Sequence, residues 1–171
     1  MGFNMGWTPY FLKRVNEKDA KVDFSSIASL FLGFLGFVVV LVSLWSSEIV
    51  RFSIGTYHLI GENYWDSEKI IPIVLLGYFF FGTYIIQLPG VYSKKITRWV
   101  PIFRAIGAIT NIFLNILLIP RFGIVGSACA TAVAFLLMSL SIYVKLYKIY
   151  FVRYNWLALC YPVFFIVLTF L

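Results

Sequence analysis

Three polar side chains stand out in a chain that offers little else for chemistry: Arg104, Asn111 and Asn115. They lie at offsets of seven and eleven within an apolar run. At about 100° per residue that places them on one face of a helix. Thr97 falls on the same line just ahead of the run, and Ala108 lies close to it. A guanidinium followed by two carboxamides can bind an anion along a polar stripe. It can also do something plainer: asparagines bond a neighbouring helix at about 0.6–2 kcal/mol each, and an arginine one turn from a helix end can reach lipid phosphate. Both readings stay open on the sequence.

Other chemistry is poorly provided for. His58 is the only histidine and is expected in a loop. Cys129 and Cys160 are the only cysteines. Both fall in apolar runs without metal-ligand spacing, and they are expected to act as small packing residues. No Asp or Glu lies within the apolar runs, Glu48 standing at the edge of one. A catalytic constellation, a metal site and a cofactor are therefore not expected, and the chain is not read as an enzyme.

The elements that must position the stripe are set by composition. Of 171 residues, 61% are hydrophobic and 12% charged, and the mean hydropathy is +0.91. A soluble domain carries roughly 25% charged residues, so this is the composition of an integral membrane protein. Five apolar runs approach the ~20 residues a span requires: Ile27–Trp45, Ile70–Tyr92, Val100–Ile119, Gly123–Val144 and Trp156–Leu171. The predicted fold class is all-α, a polytopic transmembrane bundle of five spans. Aromatics make up 20% of the chain, and many sit near run ends, where they anchor at headgroup depth.

The net charge of +7 does not point to nucleic acid, because the basic residues lie in short loops between the runs. Lys13, Arg14, Lys18 and Lys21 precede the first. Lys94, Lys95 and Arg98 separate the second from the third. Lys145, Lys148 and Arg153 follow the fourth. The other two loops hold only Arg51, Lys69 and Arg121, with Glu48, Glu62, Asp66 and Glu68 beside them. The alternation makes the first three loops cytoplasmic. Residues 1–26 are expected to be the end of a preceding helix and a cytoplasmic loop, and 27–171 a helical bundle. The opening "MGFNMGWTPYFLKR" and the apolar end at Leu171 suggest a piece of a larger membrane protein, shortened at both ends.

Two of the runs carry small-residue ladders. In the first, Ser29, Gly33, Gly36, Ser43 and Ser47 align, with Val39 expected off the ladder. In the fourth, Gly123, Ser127, Ala130, Ala134 and Ser141 align. Such ladders let helix backbones approach closely. The second run places Thr83, Gln87 and Gly90 on one face beside Pro89, a candidate hinge; Pro162 is a similar candidate in the last run.

The stretch "ITRWVPIFRAIGAITNIFLNILLIPRFGIVGSACATAVAF" resembles the C-terminal half of bacterial polysaccharide flippases. These export O-antigen and capsule glycans within the multidrug/oligosaccharidyl-lipid/polysaccharide superfamily. The resemblance rests on the Asn111/Asn115 pair, "LLIP" from Leu117 to Pro120, "GIVG" from Gly123 to Gly126 and "ACAT" from Ala128 to Thr131. "YWDSEKIIPIVLLGYFFFGTY" and "LKRVNEKDAKVDF" extend it over nearly the whole chain. Ser127 and Cys129 depart from it, standing where an apolar residue would be expected. The resemblance implies a two-lobed transporter of about twelve to fourteen spans in the bacterial cytoplasmic membrane, of which this chain is the C-terminal lobe. It implies as partners membrane lipid, an isoprenoid diphosphate-linked oligosaccharide and a missing N-terminal half. It implies that Arg104 meets the diphosphate, with Asn111 and Asn115 on the same path and Arg98, Lys94 and Lys95 at the cytoplasmic mouth. An ion-coupled multidrug antiporter of the same superfamily, a membrane-embedded polysaccharide-synthesis enzyme and a scaffolding subunit are the competing readings.

Overall fold

Apolar runs of span length leave the backbone no partner in lipid but itself, so they form helices. In a computed structural model, which describes residues 2–54, 57–58, 60–150 and 160–165, the chain folds as α1 (Gly2–Arg14), α2 (Ala20–Leu44), α3 (Ser46–Val50), a 3-10 helix (Glu62–Lys69), α4 (Ile71–Ser93) and α5 (Trp99–Tyr147). A two-residue antiparallel pair, β1 (Ser53–Ile54) with β2 (Tyr57–His58), interrupts the helices. Residues 160–165 are also helical. The rest of the expected Trp156–Leu171 helix lies outside the described residues. Three helices, α2, α4 and α5, are long and apolar enough to cross a membrane.

α5 is not a straight rod. Gly123 has φ 55° and ψ −132°, a conformation open to glycine and closed to most other residues. The chain folds back there. Asn111 Nδ2 lies 3.1 Å from Thr131 Oγ1, whereas twenty residues of straight helix would separate them by about 30 Å. Gly107 sits beside Met138, and Gly126 against Leu118. α5 is therefore an antiparallel hairpin whose two arms correspond to the third and fourth apolar runs.

α4 runs alongside the second arm in the same direction. Gly77 meets Ala132, Thr83 meets Ser139, and Gly90 meets Leu146. α2 runs the opposite way on the other side of α4. Phe24 near its start shares a core cluster with Leu88 and Val91 near the end of α4. Leu32 and Val39 pack with Phe79 and Ile86. α1 folds back on α2, pairing Phe3 with Phe31 and Trp7 with Phe24, and touches α4 through Phe11 and Tyr92.

This arrangement brings the basic segments to one end of the bundle. Lys21 at the start of α2 lies over the Tyr150 ring, 4.8 Å from its centroid, and Lys145 lies 3.7 Å from the Trp99 centroid. Arg14 bonds Asp23 at 3.0 Å. At the opposite end Arg51 holds Glu68 through two bonds, 2.9 and 3.1 Å long, and Ser47 donates to the same carboxylate at 3.0 Å. These charge-assisted bonds keep the Glu68 carboxyl below its ordinary range, the Arg51 bond being the main cause.

Several expectations need correction. α2 begins at Ala20, about two turns before Ile27, because Ala20 and Phe24 are buried against the rest of the bundle. α1 belongs to that same core, with Trp7 and Phe11 buried, so a division at residue 26 cuts through a packed unit. Val39 is buried, not off the packed face. Gly33 has no neighbour within 4 Å of where a Cβ would stand, whereas Gly36 abuts Pro162 and Tyr161. Gly123 makes the turn, and open space lies where its Cβ would stand. α4 passes through Pro89 as one continuous helix with that ring buried, so no hinge is formed there in this conformation.

Candidate functional site

A groove of about 740 Å³ opens between the α1–α2 pair and the α5 hairpin, with α4 as its floor. Packing explains its location. α4 is sandwiched by α2 on one side and the second arm on the other, while the first arm is held mainly by its own hairpin partner. Phe3, Phe31 and Leu35 form one wall; Tyr78, Gly82 and Ile85 line the floor. The hairpin supplies the other wall, and with it the polar groups Arg104, Asn111 and Thr131. Arg104 is the only charged residue among the described residues that line the groove.

Arg104 is exposed and lines the groove. The Tyr84 hydroxyl is buried and without a hydrogen-bond partner. Seven residues further along the same arm, a rise of about 10 Å, Asn111 donates to Thr131. Thr131 donates in turn to the Ser127 carbonyl at 3.1 Å, and Asn115 donates to Asn111 Oδ1 at 3.0 Å. The two asparagines thus clasp the hairpin, one of them across its arms. Asn111 also reaches the groove; Asn115 is not among its lining residues, and its own Oδ1 is buried without a partner.

Lys94, Lys95 and Arg98 do not line the groove. They are exposed in the turn between α4 and α5, at the basic end. The fourth-run ladder splits by partner. Ala134 meets Gly107 of the first arm through its carbonyl, Ala130 and Ala134 are buried, and Ser127 is half-buried. The face turned to α4 is a different line, Ala128, Ala132 and Ser139, at offsets of four and eleven.

That line carries a polar feature the sequence reading missed. Ser139 and Thr83 hydroxyls lie 2.5 Å apart, and Gln87 Nε2 donates to Ser139 Oγ at 3.1 Å and to the Thr83 carbonyl at 2.8 Å. All three side chains are buried, and Gln87 Oε1 has no partner. The signal was present as the one hydroxyl on the Ala128–Ala132 face; Ser141, assigned to a seam, instead donates to its own helix at Met138. Cys129 is half-buried and Cys160 exposed, both as free thiols. Among the described residues no group of three or more His, Cys, Asp or Glu could hold a metal. No family model, no curated protein and no solved structure matches the chain.

Proposed function

We propose that this chain is one lobe of a transporter that moves an isoprenoid diphosphate-linked oligosaccharide across the bacterial cytoplasmic membrane, and that the Arg104 groove contributes to its path. On this reading α2, α4, the two arms of α5 and the Trp156–Leu171 run make five crossings, with the basic end cytoplasmic. A second lobe closes the open side of the groove. The observation that carries the reading is Arg104 itself, the sole charge among the described residues lining a groove that is mostly aromatic and aliphatic. Charged groups at membrane depth are costly and face protein or water-filled space. A guanidinium there supplies the bidentate, charge-assisted donors that a diphosphate takes. Asn111 and Thr131 continue the polar track away from the basic end. No carboxylate lines the groove among the described residues, so a carboxylate-based antiporter gains no support from it.

The test is surface glycan in cells deleted for the encoding gene and complemented with variants at matched membrane level. Arg104→Ala should insert normally and export poorly, Arg104→Lys should retain an intermediate level, and Arg104→Glu should export nothing. Normal export by Arg104→Ala would sink the reading and leave Arg104 as an interfacial anchor.

A further inference from the structure

The turn joining α4 to α5 is built in an unexpected way. Ile96 N–H donates to the Val91 carbonyl and Lys95 N–H to the Tyr92 carbonyl, each at 3.0 Å. This is the paired-bond cap that ends many helices, and its left-handed position normally takes glycine. Here that position is Lys95, with φ 53°, the one non-glycine residue with positive φ among the described residues. The hydrophobic contact typical of the cap is present too, since Ile96 packs against the main core cluster. The turn therefore carries a cation where backbone preference favours glycine.

Its neighbours share that charge. Lys94, Lys95 and Arg98 are exposed and form no ion pair among the described residues, while Arg14 takes up both Glu17 and Asp23 nearby. Lys145 is held against Trp99, which adds another ammonium at the edge of the same turn. The turn stands at the end of span-length helices with aromatic flanks. A bilayer therefore places it among headgroups, where juxtamembrane cations attract acidic lipids.

We propose that the 94–98 turn, together with Lys145, is a binding site for the phosphate groups of acidic phospholipids in the leaflet at the basic end. The site is separate from the Arg104 groove, none of whose lining residues belongs to it.

The purified full chain would be placed in nanodiscs of mixed phosphatidylcholine and phosphatidylglycerol and extracted into mild detergent. Retained lipid would then be counted by native mass spectrometry. Phosphatidylglycerol should be retained over phosphatidylcholine. Its apparent affinity should fall roughly fivefold for each cation removed in Lys94→Gln, Lys95→Gln and Arg98→Gln. Lys95→Gly is the decisive variant: it should raise the melting temperature while lowering phosphatidylglycerol retention. Wild-type retention by Lys95→Gly and by the triple glutamine variant would overturn the proposal. An equal loss in Lys69→Gln, at the far end, would overturn it as an effect of net charge. Displacement of the lipid by inorganic phosphate would overturn the lipid assignment in favour of a free-anion site.

Discussion

Gly126 and Gly123 stand three residues apart in the α5 turn and are glycine for different reasons, which makes Gly126→Ala a sharp perturbation. A Cβ on Gly126 would stand 2.5 Å from the Leu118 carbonyl oxygen and 2.7 Å from its carbon. Ordinary carbon–oxygen contact begins near ~3.3 Å, so the arms must part by roughly 0.8 Å. The obstacle is backbone, which cannot swing aside as a side chain would. Overpacking of this kind costs about 1–3 kcal/mol. Parting the arms also stretches the 3.1 Å Asn111–Thr131 bond, a loss of about 0.6 kcal/mol for a typical interhelical bond in a membrane protein. Alanine's better helix propensity returns about 0.9 kcal/mol. The net expectation is a destabilisation of roughly 0.7–2.7 kcal/mol. Gly33→Ala is the matched opposite. Apart from its own stretch of helix, no atom lies within 4 Å of its Cβ position, so only the propensity gain of about 0.9 kcal/mol remains. The assay is thermal unfolding of the purified protein in one detergent, followed by tryptophan fluorescence. Gly126→Ala melting at or above wild type would refute the close backbone approach and the hairpin geometry that depends on it.

Two further outcomes are expected. Glu68 has a folded-state pKa below its ordinary value of 4.5, so the stability it contributes is fully present above that value and is lost as pH falls through the lower, folded one. The protection against hydrogen exchange in residues 62–69, taken relative to the intrinsic rate at each pH, should hold from neutral pH down to about 4.5 and fall below it, and Glu68→Gln should flatten that profile; an unchanged wild-type profile in the variant would remove Glu68 as its source. Single cysteines at Lys18, Lys95 and Lys148, in a background with Cys129 and Cys160 replaced by serine, should resist an impermeant thiol reagent in intact cells, whereas one at Lys69 should react. Labelling at Lys95 from outside would reverse the orientation.

The span-length run of α4 was legible because hydropathy decides it directly: Ile70–Tyr92 against an observed Ile71–Ser93 shows how closely. The start of α2 was not, because Lys21 and Asp23 look like loop residues until Ala20 and Phe24 are seen packed inside. The Arg104–Asn111 face was readable from helical offsets, and both residues reach the groove. The pairing of Asn111 with Asn115 was also readable, as a four-residue spacing. What pattern alone could not separate was one small-residue line from another on the same helix. Gly123 joined a ladder by spacing, yet its job depends on a dihedral angle that a sequence does not display. Ser139 was passed over because the line facing α4 emerges only once α4 lies beside the second arm. The capped turn at Lys95 gave no cue at all, since the usual cue is glycine.

The Thr83–Gln87–Ser139 contact has a mechanical consequence. It behaves like a keyed joint: the hydroxyls and the amide meet only at one sliding position of α4 along the second arm. A displacement of one helical turn, about 5.4 Å, would part Ser139 from Thr83 or from Gln87, leaving each of those two with the bond to its own helix. With interhelical bonds worth about 0.6–2 kcal/mol each in membranes, that slip is resisted while small tilts elsewhere are not. The contact thereby ties α4 to the second arm at one level, whereas the core packing of the α1–α2 pair on α4 in the two clusters is apolar and imposes no such key.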